Sequence, residues 1–260
     1  MLLGDTRRGR DIRAMPISNS KKSLSRRAGW LYGLQGLPAP FAYLYVPNLL
    51  LVAGDPLTTV EHVRAHQTLL RAAIGIELLI ATLLVFVAAT FFRLFRDVDE
   101  RLAGLFAAMC LASVPISFVN TLFHIAPLVL VRNTALAAQL GAGPTAALVG
   151  LSLRLHNDGL IVGQIFWGLW LFPLGLLVRR SSFLPRWLAF PLFAAGAGYI
   201  VASLGNLLLP PALRSFTQAG MFLGVGEFPL FTYMQWWGAR SAETKASPPA
   251  PQVATGFARS

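Results

Sequence analysis

The sequence contains few charged residues for its length. Asp, Glu, Lys and Arg together make up 13% of the 260 residues, whereas soluble domains carry roughly 25%. Hydrophobic residues account for 55%, and the mean hydropathy is +0.59. Because this composition leaves too little polar surface to cover a water-soluble globule, it predicts an all-α chain that folds within a lipid bilayer.

Cysteine pairs and the common catalytic motifs are also missing. Cys110 is the single cysteine, so no disulfide can form within the chain. We find no phosphate-binding loop, dinucleotide fingerprint, Gly-x-Ser-x-Gly or His-Glu-x-x-His. Residues 1–28 lack the apolar core of a signal peptide. We interpret them as a basic, disordered cytoplasmic tail, with Met15 as an alternative start.

Long apolar runs dominate the rest of the chain. A bilayer core about 30 Å thick requires about 20 apolar residues in a helix. Six runs meet this length, and residues 240–260 follow them as a second disordered tail. The sequence thus predicts a polytopic bundle of six transmembrane helices, several kinked by proline, over residues 30–53, 69–92, 102–131, 160–178, 187–209 and 219–238.

The basic residues indicate how this bundle is oriented. The net charge of +11 is concentrated in short segments between the apolar runs, which argues against a nucleic-acid partner and for a lipid bilayer. Of the 22 Lys and Arg residues, 17 fall in the two tails and in the loops at 93–101 and 179–186. Because cytoplasmic loops are enriched in Lys and Arg, we expect both termini in the cytoplasm and the protein in the plasma membrane.

Polar side chains at membrane depth concentrate in the outer half of the predicted bundle. Since a charged residue at a helix centre is costly, such groups face protein or water. We interpret them as an outward pocket that binds, senses or transports a small ligand, or as hydrogen bonds between helices. The candidates are Glu77, Glu227, His124, Asn120, Asn48, Gln164 and Asn206, with Arg71, Asp158 and His156 at the outer rim.

Two alternative functions remain open from the residues alone. His62 and His66 are four residues apart, so on one helix they share a face and could bind a divalent metal ion in an intramembrane hydrolase. The small-residue pairs Gly29/Gly33, Gly159/Gly163 and Gly220/Gly224 allow close helix contacts. These faces are compatible with a structural or regulatory subunit, or with a homo-oligomer. A non-enzymatic role is favoured, and no cofactor is evident.

Several segments resemble a known family. They are AGWLYGLQGLPAPFAYLYVP at 28–47, DPLTTVEHVRAHQTLLRAAIG at 55–75, FRLFRDVDERLA at 92–103, GQIFWGLWLFPLGLLVRRSSFLPRWLA at 163–189 and GEFPLFTYMQWWG at 226–238. Together they resemble the bacterial domain-of-unknown-function 4386 proteins over about residues 27–238. The resemblance implies a multi-pass bacterial membrane protein with no assigned reaction, in which Glu227 matches a Gly-Glu position.

Overall fold

A computed structural model describes residues 17–210, 220 and 222–239, and these residues are helical with no strand among them. Of the predicted tails at 1–28 and 240–260, residues 1–16 and 240–260 lie outside the described residues, as does much of the loop before the sixth predicted span. Residues 17–28 were predicted to be disordered but belong to a helix, Ile17–Gly36. The all-α prediction is therefore confirmed for the described chain.

Within the described residues, four helical segments are long and apolar enough to cross a membrane. Helix α4 spans Gln67–Phe95, α5 spans Glu100–Arg132 and α7 spans Ala142–Arg180. The fourth is Arg186–Leu208, in which a 3-10 turn leads into α8, Ala189–Leu208. They correspond to the second, third, fourth and fifth predicted spans.

The first predicted span is broken into three pieces. Helix α1, Ile17–Gly36, is followed by a π-helical turn at Phe41–Tyr45 and by α2, Val46–Leu50. Pro38 and Pro40 lie between α1 and the π-helical turn. Proline has no backbone N–H and clashes with the preceding turn, which explains the interruption. Prolines in α5 and α7, by contrast, remain inside continuous helices.

The sixth predicted span is also irregular. Its described part consists of a 3-10 helix at Leu223–Glu227 and of α9, Phe228–Trp236. Helix α9 packs against α1, and the 3-10 helix packs against α8. Gly198 on α8 approaches the backbone of Gly220 so closely that a Cβ at either position would overlap the other chain segment.

Two short helices lie at the end of the bundle where α4 begins and α5 ends. Helix α3, Pro56–Ala65, is capped by Asp55, and α6, Thr134–Leu140, is capped by Asn133. The Asp55 carboxylate accepts hydrogen bonds from the backbone N–H and the hydroxyl of Thr58. These bonds lower the pKa of Asp55 below its ordinary value, because they stabilise the charged form.

Helix α7 corrects one sequence-based expectation. The fourth predicted span starts at residue 160, which leaves residues 145–156 outside the predicted transmembrane helices. They instead form the first part of a single 39-residue helix, about 58 Å long. Val149 and Leu153 are buried there with Val60 and Val63 of α3. This packing holds the first part of α7 in line with the rest.

At the opposite end of the bundle, the start of α1, the loop between α4 and α5, the end of α7 and the end of α9 lie close together. Lys21 of α1 forms an ion pair with Asp97 at 3.1 Å, and Arg180 of α7 pairs with Asp99. Arg26 donates from Nε to the carbonyl oxygen of Gln235 on α9 at 3.1 Å. The basic segments that the sequence assigned to the cytoplasmic side thus meet at one end of the bundle.

Candidate metal centre

Helices α4, α5 and α7 each bring one metal-ligating side chain to the same point. The two carboxylate oxygens of Glu77 on α4 each lie near a ring nitrogen, one of His124 on α5 and one of His156 on α7. Glu77 Oε1 is 2.7 Å from His124 Nδ1, and Glu77 Oε2 is 3.1 Å from His156 Nε2. One ligand atom from each residue lies within 4.8 Å of the other two. A carboxylate and two imidazoles are a common ligand set for divalent transition metals.

The two imidazoles are stacked face to face. Their ring centroids are 3.4 Å apart, with 11° between the planes. If both rings were protonated, two positive charges would be held at van der Waals distance within the bundle. Two neutral imidazoles avoid this repulsion, and neutral imidazole is the form that ligates metals.

All three side chains are shielded from the surroundings of the bundle. Both histidines are 0% exposed and Glu77 is 3% exposed. Glu77 lies 18 residues before the end of α4 at Phe95, about 27 Å from the basic end of the bundle. A buried carboxylate is stabilised only by pairing, by hydrogen bonding or by a metal ion.

The hydrogen bonding of this cluster is incomplete. Among the described residues, His156 Nδ1 and His124 Nε2 have no hydrogen-bond partner, although both atoms are buried. Glu77 Oε1 and His124 Nδ1 are close, yet neither satisfies hydrogen-bond geometry with the other. Such unpaired atoms are rare in protein interiors. A cation held by the carboxylate and by one nitrogen of each ring would satisfy several of them, once one ring turns out of the stack to direct its lone pair at the ion.

Asn120 supports His156 from the neighbouring helix. Its Nδ2 donates to the backbone oxygen of His156 at 3.0 Å. The backbone of Gly159 permits this contact, because a Cβ at position 159 would overlap Asn120 Oδ1. Asn120 Oδ1 is buried and has no hydrogen-bond partner in the part of the chain that the structure describes, so it is a further polar group directed into the bundle near the three ligands.

A small cavity adjoins the cluster. Its volume is about 20 Å³, and Glu77, Asn120, Ser117 and Gly159 are among its lining residues. One water molecule requires about 10–15 Å³ of such a cavity, so this cavity has room for one water molecule. Tyr43 also lines it, placed there by the π-helical turn in the broken first span. Turns of this type occur frequently at functional sites.

Glu227 belongs to a different cluster. The Tyr32 hydroxyl donates to Glu227 Oε2, and the Tyr199 hydroxyl also hydrogen bonds to this carboxylate. Cys110 is the neighbouring residue on α5, 14 residues before His124 and therefore about 21 Å along that helix. The two glutamates are thus not at matched depth in one pocket, because Glu227 lies nearer the basic end.

The other predicted ligand-binding residues do not join the metal cluster. Gln164 is buried on α7, and its Oε1 has no hydrogen-bond partner within residues 17–210, 220 and 222–239. Asn206 is half-buried and donates to the carbonyl oxygen of Ala202 at 2.8 Å. Asn48, Arg71 and Asp158 are exposed. Of the candidates named from the sequence, four lie in this region: Glu77, His124, Asn120 and His156.

His62 and His66, which the sequence places on one face of a single helix, do not lie on one continuous helix in the structure. Helix α3 ends at Ala65, so His66 is at the junction with α4 and the two residues do not continue one helix. Their Nδ1 atoms contact the backbone oxygens of Leu49 and His62, at 2.9 and 3.0 Å. Within the described chain, the group of three metal-ligating side chains is the one around Glu77.

The sequence places His156 at the outer rim because the fourth predicted span begins at residue 160, whereas α7 begins at Ala142. A signal for its burial is nevertheless present in the sequence. Val149, Leu153, His156 and Gly163 follow a helical spacing and are all buried in α7. A single stripe across residues 149–163 predicts a continuous helix with His156 on its inner face.

These features define a helical bundle of membrane type with a buried three-ligand centre. The chain belongs to the family described as domain of unknown function DUF4386, which it matches over residues 27–238. An uncharacterized protein of Archaeoglobus fulgidus is similar to it, with 34% identity over 90 residues. That match covers 34% of this chain and 51% of the relative, so it spans about half of the archaeal protein. No solved structure matches the chain.

Proposed function

We propose that this protein binds a divalent transition-metal ion between α4, α5 and α7, with Glu77, His124 and His156 as ligands. The observation that carries the proposal is the convergence of three buried ligand atoms from three helices within 4.8 Å. The small ligand expected from the sequence is accordingly a cation.

The chemistry of the ligands narrows the choice of ion. Imidazole suits zinc, copper, iron and nickel, whereas calcium and magnesium prefer all-oxygen sites. Three protein ligands leave at least one coordination position for water or substrate, an arrangement typical of catalytic zinc sites. The adjoining cavity of about 20 Å³ provides room for that water.

We place this site in a six-span protein of the bacterial plasma membrane with both termini in the cytoplasm. The four long apolar helices support membrane insertion, and the first and sixth spans are then the two broken segments. The basic end of the bundle faces the cytoplasm under the positive-inside rule. The metal centre lies in the outer half, about 27 Å from the end of α4.

The test is metal analysis of the purified protein. After stripping with a chelator and titration with Co²⁺, the wild type is expected to bind about one ion per chain and to develop visible absorption bands. Glu77→Gln and His156→Gln are expected to weaken binding at least tenfold. The matched control is His62→Gln with His66→Gln, which removes two imidazoles outside the cluster and leaves binding unchanged. Loss of binding in the control but not in the cluster variants would overturn the assignment.

A metal-dependent hydrolase is the second candidate, favoured by the open coordination position and the water-sized cavity. A metal can lower the pKa of its bound water and generate a nucleophile at neutral pH. In the cobalt-loaded protein, a hydroxamate or azide is expected to replace that water and alter the visible spectrum. A spectrum that neither compound changes indicates a closed structural site and argues against hydrolysis.

A further inference from the structure

A groove at the basic end of the bundle is separate from the metal centre. The start of α1, the 3-10 turn before α8, and α9 with the residues that follow it surround a volume of about 650 Å³. Its lining residues are Lys22, Trp187, Pro229, Thr232, Tyr233, Trp237 and Ala239. The groove is therefore large and combines a cation, hydroxyl groups and aromatic rings.

Lys22 gives the groove a positive charge. In the described part of the chain, no carboxylate lies within ion-pair distance of Lys22, whereas its neighbour Lys21 pairs with Asp97. Arg26 lies beside Lys22 at the turn of Gly238. A Cβ at position 238 would be 2.9 Å from Arg26 Cγ and 3.1 Å from Lys22 Cγ. Two cations thus flank one edge of the groove.

The aromatic side chains give the groove the character of a membrane interface. Trp187 is 54% exposed and Trp237 is 59% exposed, and Trp237 stacks on Tyr233 with ring centroids 5.5 Å apart. Tryptophan and tyrosine concentrate at the level of lipid head groups, because their rings are apolar with a polar edge. The groove therefore lies where head groups and protein meet.

We propose that this groove binds the head group of an anionic phospholipid, with Lys22 facing the phosphate and Thr232 and Trp187 available as hydrogen-bond donors. Charge complementarity selects this occupant, since basic pockets between helices on the cytoplasmic side bind anionic head groups. Acyl chains extend along the exposed face of Trp187 into the bilayer. The site uses neither Glu77 nor the two histidines, so it does not depend on metal binding.

The experiment uses the full chain in detergent and brominated lipids, which quench tryptophan on contact. Brominated phosphatidylglycerol is expected to quench at concentrations at least threefold lower than brominated phosphatidylcholine. This preference is expected to disappear in high salt, because exposed charges are screened. Lys22→Gln removes the preference, and Lys22→Arg retains it.

The matched control is Lys21→Gln, which removes the same charge from the adjacent position on the same helix. Lys21 pairs with Asp97 outside the groove, so this variant keeps the wild-type preference. Equal quenching of the wild type by the two lipids overturns the proposal. So does an equal effect of the Lys21 and Lys22 variants, because the preference would then come from the general charge of this end.

Discussion

Gly159 of α7 packs directly against the side-chain amide of Asn120 on α5, leaving no space for a Cβ between them. Because Asn120 also donates to the backbone oxygen of His156, this contact fixes the distance between the two helices that carry the histidines. We expect Gly159→Ala to displace Asn120, to weaken Co²⁺ binding at least tenfold and to lower stability by about 1–3 kcal/mol through overpacking. Metal titration and thermal unfolding measure the two effects.

Gly150→Ala is the matched control for this substitution. Gly150 is buried on the same helix, but a Cβ there would meet nothing within 4 Å. Alanine favours a helix by roughly 0.5–1 kcal/mol over glycine. The control is therefore expected to be at least as stable as the wild type and to bind metal normally. Similar behaviour of the two alanine variants would contradict the close contact between α5 and α7.

The separation of the two glutamates predicts that their clusters can be disrupted independently. Tyr32→Phe removes the hydroxyl that donates to Glu227 Oε2. Leaving a buried polar group without its hydrogen-bond partner costs about 1–3 kcal/mol, so the unfolding temperature is expected to fall while the metal content stays at the wild-type value. Tyr45→Phe, at an exposed tyrosine of the π-helical turn, is expected to change neither. Loss of metal in Tyr32→Phe would link the two clusters.

Depth along a helix could be predicted from the sequence more readily than packing between helices. Glu77, His124 and Asn120 were identified because an apolar run gives the distance of each residue from its end. The sequence also places Glu227 in the outer half of the bundle, because residues 219–238 are predicted to form one regular helix. The structure instead has a 3-10 helix at Leu223–Glu227 before α9, with Tyr32 and Tyr199 as the partners of Glu227.

The continuity of α7 through residues 145–156 could not be predicted from composition alone. Residues 145–156 contain Ser152, Arg154 and His156, and these polar residues make the segment look like a surface loop or an interfacial helix. In the structure they belong to α7, because α3 covers its apolar face. The position of the third metal ligand is therefore indicated by the helical spacing of Val149, Leu153 and His156, whereas the contact with α3 that covers this face joins segments far apart in sequence.

The cap of α3 predicts a dependence on pH. Hydrogen bonds from Thr58 lower the pKa of Asp55, so its stabilising effect is present above the unfolded pKa of about 3.9. That effect is lost as pH falls through the lower folded value. Asp55→Ala is thus expected to unfold at a lower temperature than the wild type at pH 7, and the difference shrinks below about pH 4.

The control for the cap is Glu61→Ala, which removes an exposed carboxylate from the same helix. Glu61 is not at the helix start, where a side chain can bond to the free backbone N–H groups. The substitution is expected to leave the unfolding temperature at pH 7 nearly unchanged. A difference between Asp55→Ala and wild type that persists undiminished at pH 3 would contradict the role of the charged cap.

The proposed orientation can be tested at the two ends of α5. Glu100 begins this helix at the basic end, and Thr134 follows its other end at the start of α6; both are exposed. The native Cys110 is 0% exposed, so the wild type is expected to resist a membrane-impermeant maleimide and provides the background. In intact cells we expect labelling of Thr134→Cys, whereas Glu100→Cys reacts only after the membrane is permeabilised. The reverse pattern would invert the orientation, and labelling of both variants from outside would show that α5 does not cross the membrane.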